Sequence, residues 1–279
     1  EAVERVADYA HIDMPTEEIS PEERQKAAMM KKMVEVTELA GSYFHNCLTR
    51  TQMGQAGMAY FEKRHLSMET IERFKLGFAP ADWHRLYHDF TTKKQIDPKI
   101  LTVCGLCGYK NGNYFDMFRN RCMFPILDLK GRVVAFGGRV MDDSKPKYLN
   151  SPETKIFDKS RNLYGLNIAR TTRKPQLLLC EGYMDVIALH QAGFDNAVAS
   201  LGTSLTSGHA SLLKRYTKEV YLTYDSDGAG VKAALRAIPI LKEVGIITKV
   251  INMQPYKDPD EFIKALGACL LYTSPSPRD

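Results

Sequence analysis

The 279 residues predict an α/β protein: a parallel sheet with flanking helices, preceded by a mixed α+β subdomain of strongly basic character. Three observations carry that expectation. From residue 175 onward, short apolar runs alternate with segments of helical period. Two of those runs stop at a carboxylate and turn on glycine: 177–180 leads into Glu181-Gly182, and 220–224 into Asp225-Ser226-Asp227-Gly228. Finally, residues 110–180 hold 14 Lys/Arg against 6 Asp/Glu, a balance of +8 in a chain of net charge +5, so the remainder is near −3.

Taken in order, residues 1–16 end at Pro15 and read as a tail or the end of a missing module. A helix is expected over 16–51, with Ser20-Pro21-Glu22-Glu23 as an acidic start. Met29, Met33, Val36, Leu39, Ala40 and Tyr43 recur on one face, and Gly54 and Gly57 end the pattern. A second helix is expected over 58–64. A third, over 70–74, is capped by Ser67 and stopped by Gly77 and Pro80. Two more helices are read at 83–95 and 98–103. Runs 123–128 and 132–136 are strand-like, joined by a hairpin turn at 128–131. Gly137-Gly138 marks a place where the backbone approaches something closely. Residues 145–159 read as polar loop. Strands at 177–180, 197–200, 220–224 and 248–252, with helices at 184–192, 207–216 and 230–244 between them, are the pattern of a parallel sheet with crossovers. The expected division is therefore 17–174 for the basic α+β part and 175–267 for the sheet. The Pro/Ser-rich end, 268–279, looks like an artefact of cloning or reading frame and is left out.

Several classes are disfavoured. No apolar run approaches the roughly 20 residues that span a bilayer, and the first residues have no signal-peptide pattern. The six cysteines are scattered and one falls in a core strand, which suits reduced thiols and a cytoplasmic home. The chain lacks an initiating Met and reads as a fragment. Cys104 and Cys107 have metal-like spacing, but a structural zinc needs two further ligands. His84, His88 and Cys122 are candidates on paper, but no second pair exists.

The chemistry is expected at the acids. In an open parallel sheet, residues just past the carboxyl ends of strands converge on one crevice. Glu181, Asp225 and Asp227 there would repel one another unless cations lay between them. Hard divalent ions with oxygen ligands suit such a set. Asp185 fits a catalytic place and a plain first-turn acid equally well. Asp258 and Asp260 either add outer carboxylates or cap the helix starting at Pro259. Arg119, Arg121, Arg139, Lys145, Lys147, Lys159 and Arg161, interleaved with Tyr114, Phe115, Phe118 and Tyr148, offer cations for phosphates and rings for bases. The plainer reading of any one of them is a solvated surface charge.

Glu181-Gly182-Tyr183-Met184-Asp185-Val186, with Asp225-Ser226-Asp227 and Asp258-Pro259-Asp260, resembles the Toprim domain of primases, topoisomerases and some nucleases. Arg119-Asn120-Arg121-Cys122-Met123-Phe124-Pro125-Ile126, Phe136-Gly137-Gly138-Arg139 and Pro146-Lys147-Tyr148-Leu149-Asn150 narrow the resemblance to the bacterial replicative DNA primase catalytic core. That resemblance implies a DNA-directed RNA polymerase, a nucleotidyltransferase that makes short RNA primers on single-stranded DNA from ribonucleoside triphosphates. It implies two Mg²⁺ or Mn²⁺ ions held by Glu181, Asp225 and Asp227, with Asp185, Asp258 and Asp260 in support. Arg119, Arg121, Arg139, Lys147, Tyr148, Asn150 and Lys159 would contact template or nucleotide. Zinc would belong only to a module absent from this chain, and the replicative helicase to an absent C-terminal domain. A cytoplasmic monomer is expected. A nuclease or topoisomerase-like enzyme on the same domain, or a non-catalytic single-strand-binding fragment, are the competing readings.

Overall fold

The computed structural model describes residues 20–266 and, apart from them, Tyr9. The 268–279 tail and nearly all of the 1–16 segment lie outside the described residues. The chain falls into two compact units, Glu1–Lys32 and Met33–Asp279.

Helix α1 (Pro21–Arg50) opens with a reciprocal cap. Ser20 N donates to Glu23 Oε2 at 3.0 Å, and Glu23 N donates to Ser20 Oγ at 3.2 Å. Its buried stripe includes Val36, Ala40, Phe44 and Leu48. Helices α2 (Gln55–Lys63) and α3 (Met68–Arg73) follow, and Ser67 Oγ caps α3 by accepting from Thr70 N at 3.1 Å. The expected helix at 83–95 is broken into a short α4 (Arg85–His88) and a π-helical turn, Asp89–Lys93. Helix α5 (Pro98–Val103) is as expected.

The antiparallel sheet has the order β1-β4-β5-β6. Strands β4 (Arg121–Leu127) and β5 (Val133–Val140) form the expected hairpin, buried over most of both lengths. The flanking strands β1 (Gly77–Ala79) and β6 (Tyr148–Asn150) were expected as a helix stop and a loop. Three residues are too few to show a period of two, and their partners supply the pairing. A further hairpin, β2 (Cys107–Lys110) and β3 (Asn113–Asp116), turns on Asn111-Gly112 with both φ positive. That turn signal is local to the sequence.

Asp116 ends β3 and is buried. Its carboxylate accepts from Leu86 N at 2.7 Å and Tyr87 N at 2.9 Å, capping α4 from 30 residues away. Burial pushes it up to about 6. Asp116→Ala should strand both amides and cost about 1–3 kcal/mol, read as a lower urea midpoint with an unchanged slope.

After α6 (Leu166–Ala169) comes the parallel sheet, order β10-β9-β7-β8. Its strands are β7 (Gln176–Cys180), β8 (Ala197–Ala199), β9 (Glu219–Leu222) and β10 (Ile247–Val250). Helices α7 (Tyr183–Gln191), α8 (Ser207–Lys214) and α9 (Gly228–Glu243) connect them, and α10 (Pro259–Leu266) follows. Leu177, Leu178, Leu179 and Cys180 are all buried because both faces of β7 are covered. One face shares a core with the antiparallel sheet through Phe124, Val134, Leu178, Tyr183 and Ile187. The other packs Leu177, Leu179 and Leu222 against Leu213, Ala234 and Leu241.

Candidate active site

Strands β7 and β9 are parallel neighbours, with Leu179 opposite Leu222. Their connections depart in opposite directions, β7 toward β8 and β9 toward β10. The carboxyl ends of this pair therefore frame the switch-point crevice of the sheet. Glu181 is the first residue past β7, and its Oε1 accepts from Asp225 N at 3.0 Å. Gly230, in the first turn of α9, makes that closeness possible. A Cβ there would lie 2.8 Å from Glu181 Oε1 and collide with the Asp225 carbonyl. Asp227 caps α9, its Oδ1 accepting from Ala229 N and Gly230 N, each at 2.9 Å. Asp185 Oδ2 accepts from Gly182 N at 3.0 Å. The 257–258 segment closes in from the next loop: Ser226 N donates to Lys257 O at 2.8 Å, and Lys257 Nζ lies 3.9 Å from Asp225 Oδ2. Asp258 Oδ1 accepts from Glu261 N at 2.9 Å, while its charge is felt by Asp185 and Asp225. Asp260, expected with these acids, is instead engaged by Lys264 at 2.7 Å and Arg64 at 3.7 Å.

The acids strain against one another. Burial, then the carboxylates of Asp258 and Asp225, push Asp185 up to about 7. Burial and the Glu181 charge push Asp225 up to about 6. Glu181 is raised by burial, opposed by the bond from Asp225 N, with the Asp227 charge adding to the rise. Asp227 alone is lowered, by its bonds from Gly230 N and Ala229 N. As the side chains stand, no three His, Cys, Asp or Glu among the described residues close around one point at coordination distance. The acids share a rim without forming a cage. Cys104 and Cys107 take no part: burial raises both thiols, Cys104 to about 12.

The basic residues divide into two kinds. Arg119 lies over the Trp83 ring, 3.9 Å from its centroid, and donates to the Asp116 carbonyl. With Trp83, Asn120 and Lys145 it lines an open groove of about 470 Å³. Lys147 is exposed and Lys159 half-buried, and among the described residues neither ammonium has a hydrogen bond or ion pair. Arg139 lies over the Tyr60 ring at 4.4 Å. Arg121, expected on the template strand, is buried. Its guanidinium donates to the carbonyls of Gly138 and Pro146, each at 3.0 Å, and so holds the loop before β6. Asn150 is likewise committed to the fold. Its Nδ2 donates to Leu201 O at 2.7 Å, and its Oδ1 accepts from Tyr183 Oη at 2.7 Å. The Tyr148 ring lies 6.1 Å from that of Tyr183.

Residues 43–170 match the family described as DNA primase catalytic core, N-terminal domain, and residues 178–263 match the Toprim-like family. A solved primase catalytic domain bound to single-stranded DNA is 38% identical, with a TM-score of 0.81 over 89% of this chain and 81% of that one. The chain belongs to the DNA primase catalytic-core family. The primase catalytic core of Escherichia coli is 39% identical, with a TM-score of 0.80 over 87% of this chain and 79% of that one. The DNA primase of Clostridium acetobutylicum is 43% identical over 268 residues, which is 96% of this chain and 44% of the relative. The chain thus spans less than half the length of that curated relative.

Several residues of this primase-family site escape sequence reasoning. Trp83 and Arg119 are 36 positions apart, and nothing local announces their stack. Arg64 reaches Asp260 across nearly 200 residues. Tyr183 stood in the quoted motif without a role. Its ring stacks on Phe124 at 5.1 Å and fills the space left by Gly137, where a Cβ would come within 2.6 Å of it. This is the close approach that Gly137-Gly138 foretold, and it ties the residue two positions after Glu181 to the antiparallel sheet.

Proposed function

We propose that the chain is the catalytic core of a DNA-directed RNA polymerase that builds short RNA primers on single-stranded DNA from ribonucleoside triphosphates during replication. The observation that carries this reading is the 3.0 Å bond from Asp225 N to Glu181 Oε1 at the switch point of the parallel sheet. It gathers acids from separate connections at one crevice mouth. Oxygen-only donors of raised proton affinity suit Mg²⁺ or Mn²⁺. Glu181, Asp225 and Asp227 are the residues to hold two such ions, with Asp185 and Asp258 behind them. Ions bound there would lower the cost of deprotonating the primer hydroxyl and would neutralise charge on the triphosphate.

The chain's own side chains supply the rest. Lys147, Lys159 and Arg139 present cations to triphosphate or template. Arg119, flattened on Trp83, offers charge and ring together to a single strand. The relative solved with single-stranded DNA supports this part of the reading. In this assignment residues 17–174 guide the template and 175–267 carry the chemistry. Contact with a replicative helicase belongs to the longer protein and is part of the same proposal. No helix among the described residues is long and apolar enough to cross a membrane.

The purified chain with single-stranded template, nucleoside triphosphates and Mg²⁺ or Mn²⁺ should yield short RNA. Tight template binding with no incorporation under either metal would overturn the proposal. A pH dependence follows from the raised acids. In metal-free protein, Asp185 and Asp225 hold protons more tightly folded than unfolded. Their contribution to stability is full below about 4 and is lost as pH rises through about 6 to 7. A divalent ion must displace those protons near pH 6 and meets bare carboxylates at pH 8. The rise in Tm on adding Mn²⁺ should therefore be larger at pH 8 than at pH 6, measured by thermal fluorescence. Equal shifts would count against a shared acid site.

A further inference from the structure

The β2–β3 hairpin carries aromatic rings on both faces, and only one face belongs to the groove described above. Cross-strand partners Gly108 and Phe115 point to one side, where Phe115 meets Trp83 at 6.3 Å. The next pair, Tyr109 and Tyr114, points to the other, because side chains alternate along a strand. There Tyr114 stacks on Tyr87 of α4, with centroids 5.3 Å apart and planes 11° apart. Tyr109 lies 4.6 Å from Tyr114, tilted by 48°. The three rings form a ladder whose outer member, Tyr109, is 57% exposed.

The plain account is a cross-strand aromatic pair that steadies a two-stranded hairpin. In that account Tyr114 and Tyr87 are half-buried, while Tyr109, the other half of the cross-strand pair, keeps its outer side in solvent. Lys99 is exposed on α5, which packs against β2. Asp97 is the acid that Tyr114 feels. A ladder of rings ending in solvent, with a lysine on the neighbouring helix, fits unstacked bases with phosphates alongside.

We propose that the Tyr87–Tyr114–Tyr109 ladder is a second stacking platform for single-stranded nucleic acid, on the face of the hairpin opposite Trp83. A strand leaving the Trp83–Arg119 groove would pass the hairpin and stack a base on Tyr109. The proposal rests on the template-binding part of the function assigned above. The test is fluorescence anisotropy with labelled oligothymidylates of increasing length, comparing wild type with Tyr109→Ala, Tyr109→Phe and Trp83→Ala. Tyr109→Ala should weaken long oligonucleotides roughly tenfold and leave the shortest ones unchanged. Tyr109→Phe should bind as wild type, because the ring remains. The Tm of Tyr109→Phe should match wild type, and that of Tyr109→Ala should fall only slightly, by the loss of one cross-strand ring pair. If Tyr109→Ala binds every length as wild type does while Trp83→Ala weakens binding, the platform is overturned and the function stands. If wild type binds no single strand at all, both fall.

Discussion

Glu181→Gln is expected to abolish the proposed primer synthesis while leaving a folded protein that still binds single strands. The amide keeps an oxygen at Oε1, so the 3.0 Å bond from Asp225 N survives. What is lost is one negative charge facing Asp225. Carboxylates that hold reacting ions contribute several kcal/mol to transition-state stabilisation. Losing about 4 kcal/mol corresponds to roughly a thousandfold in rate. The stability change should have the opposite sign. The Glu181 charge raises Asp225 in the metal-free protein, so neutralising Glu181 relieves Asp225. Metal-free Tm should hold or rise slightly, and the stabilisation by Mn²⁺ should shrink. Initial rates on single-stranded template, together with melting curves with and without Mn²⁺, check both halves. A variant that primes within tenfold of wild type would remove Glu181 from the site.

Gly230→Ala is expected to damage the same rim without touching a charge. The added methyl has no place to go: the Asp225 carbonyl blocks it, and Glu181 Oε1 would lie 2.8 Å away. Carbonyl and carboxylate must both retreat, on a turn already bound by Asp227 to Gly230 N at 2.9 Å. Overpacking of this kind costs about 1–3 kcal/mol, occasionally more. A shift near 1 Å at a reacting group costs about a hundredfold in rate. The prediction is therefore a lower denaturation midpoint and at least a hundredfold slower priming, with single-strand affinity retained. Gly228→Ala is the matched control, since a Cβ at Gly228 meets nothing within 4 Å. Equal behaviour of the two variants would refute the packing argument.

Local chemistry was enough to place the parallel sheet, the β4–β5 hairpin and the helix at 98–103, because each has its own period and turn residues. The acids were legible for a related reason. A carboxylate ending a buried apolar run is costly unless something binds it, and that is visible within ten residues of Glu181 and Asp225. The Asn111-Gly112 turn is an equally local signal. Other features had no local trace. Strands β1 and β6 are too short for a period, and α4 depends on a cap from Asp116. Charge alone could not tell Arg119 from Arg121. One lies over Trp83 and the other donates to buried carbonyls, a difference made by neighbours distant in sequence.

Side-chain type and spacing thus pointed to the class of chemistry proposed, acids for divalent ions beside cations for phosphate, since both follow from charge and burial along the chain. Only tertiary structure decided where each member lies. It turned Asp260 onto Arg64 and Lys264, enlisted Tyr183 and Asn150 as a brace, and joined Glu181 to Asp225. The reason is that a long-range contact depends on the register and direction of strands, which emerge when the whole core packs and leave no mark on any short stretch of sequence.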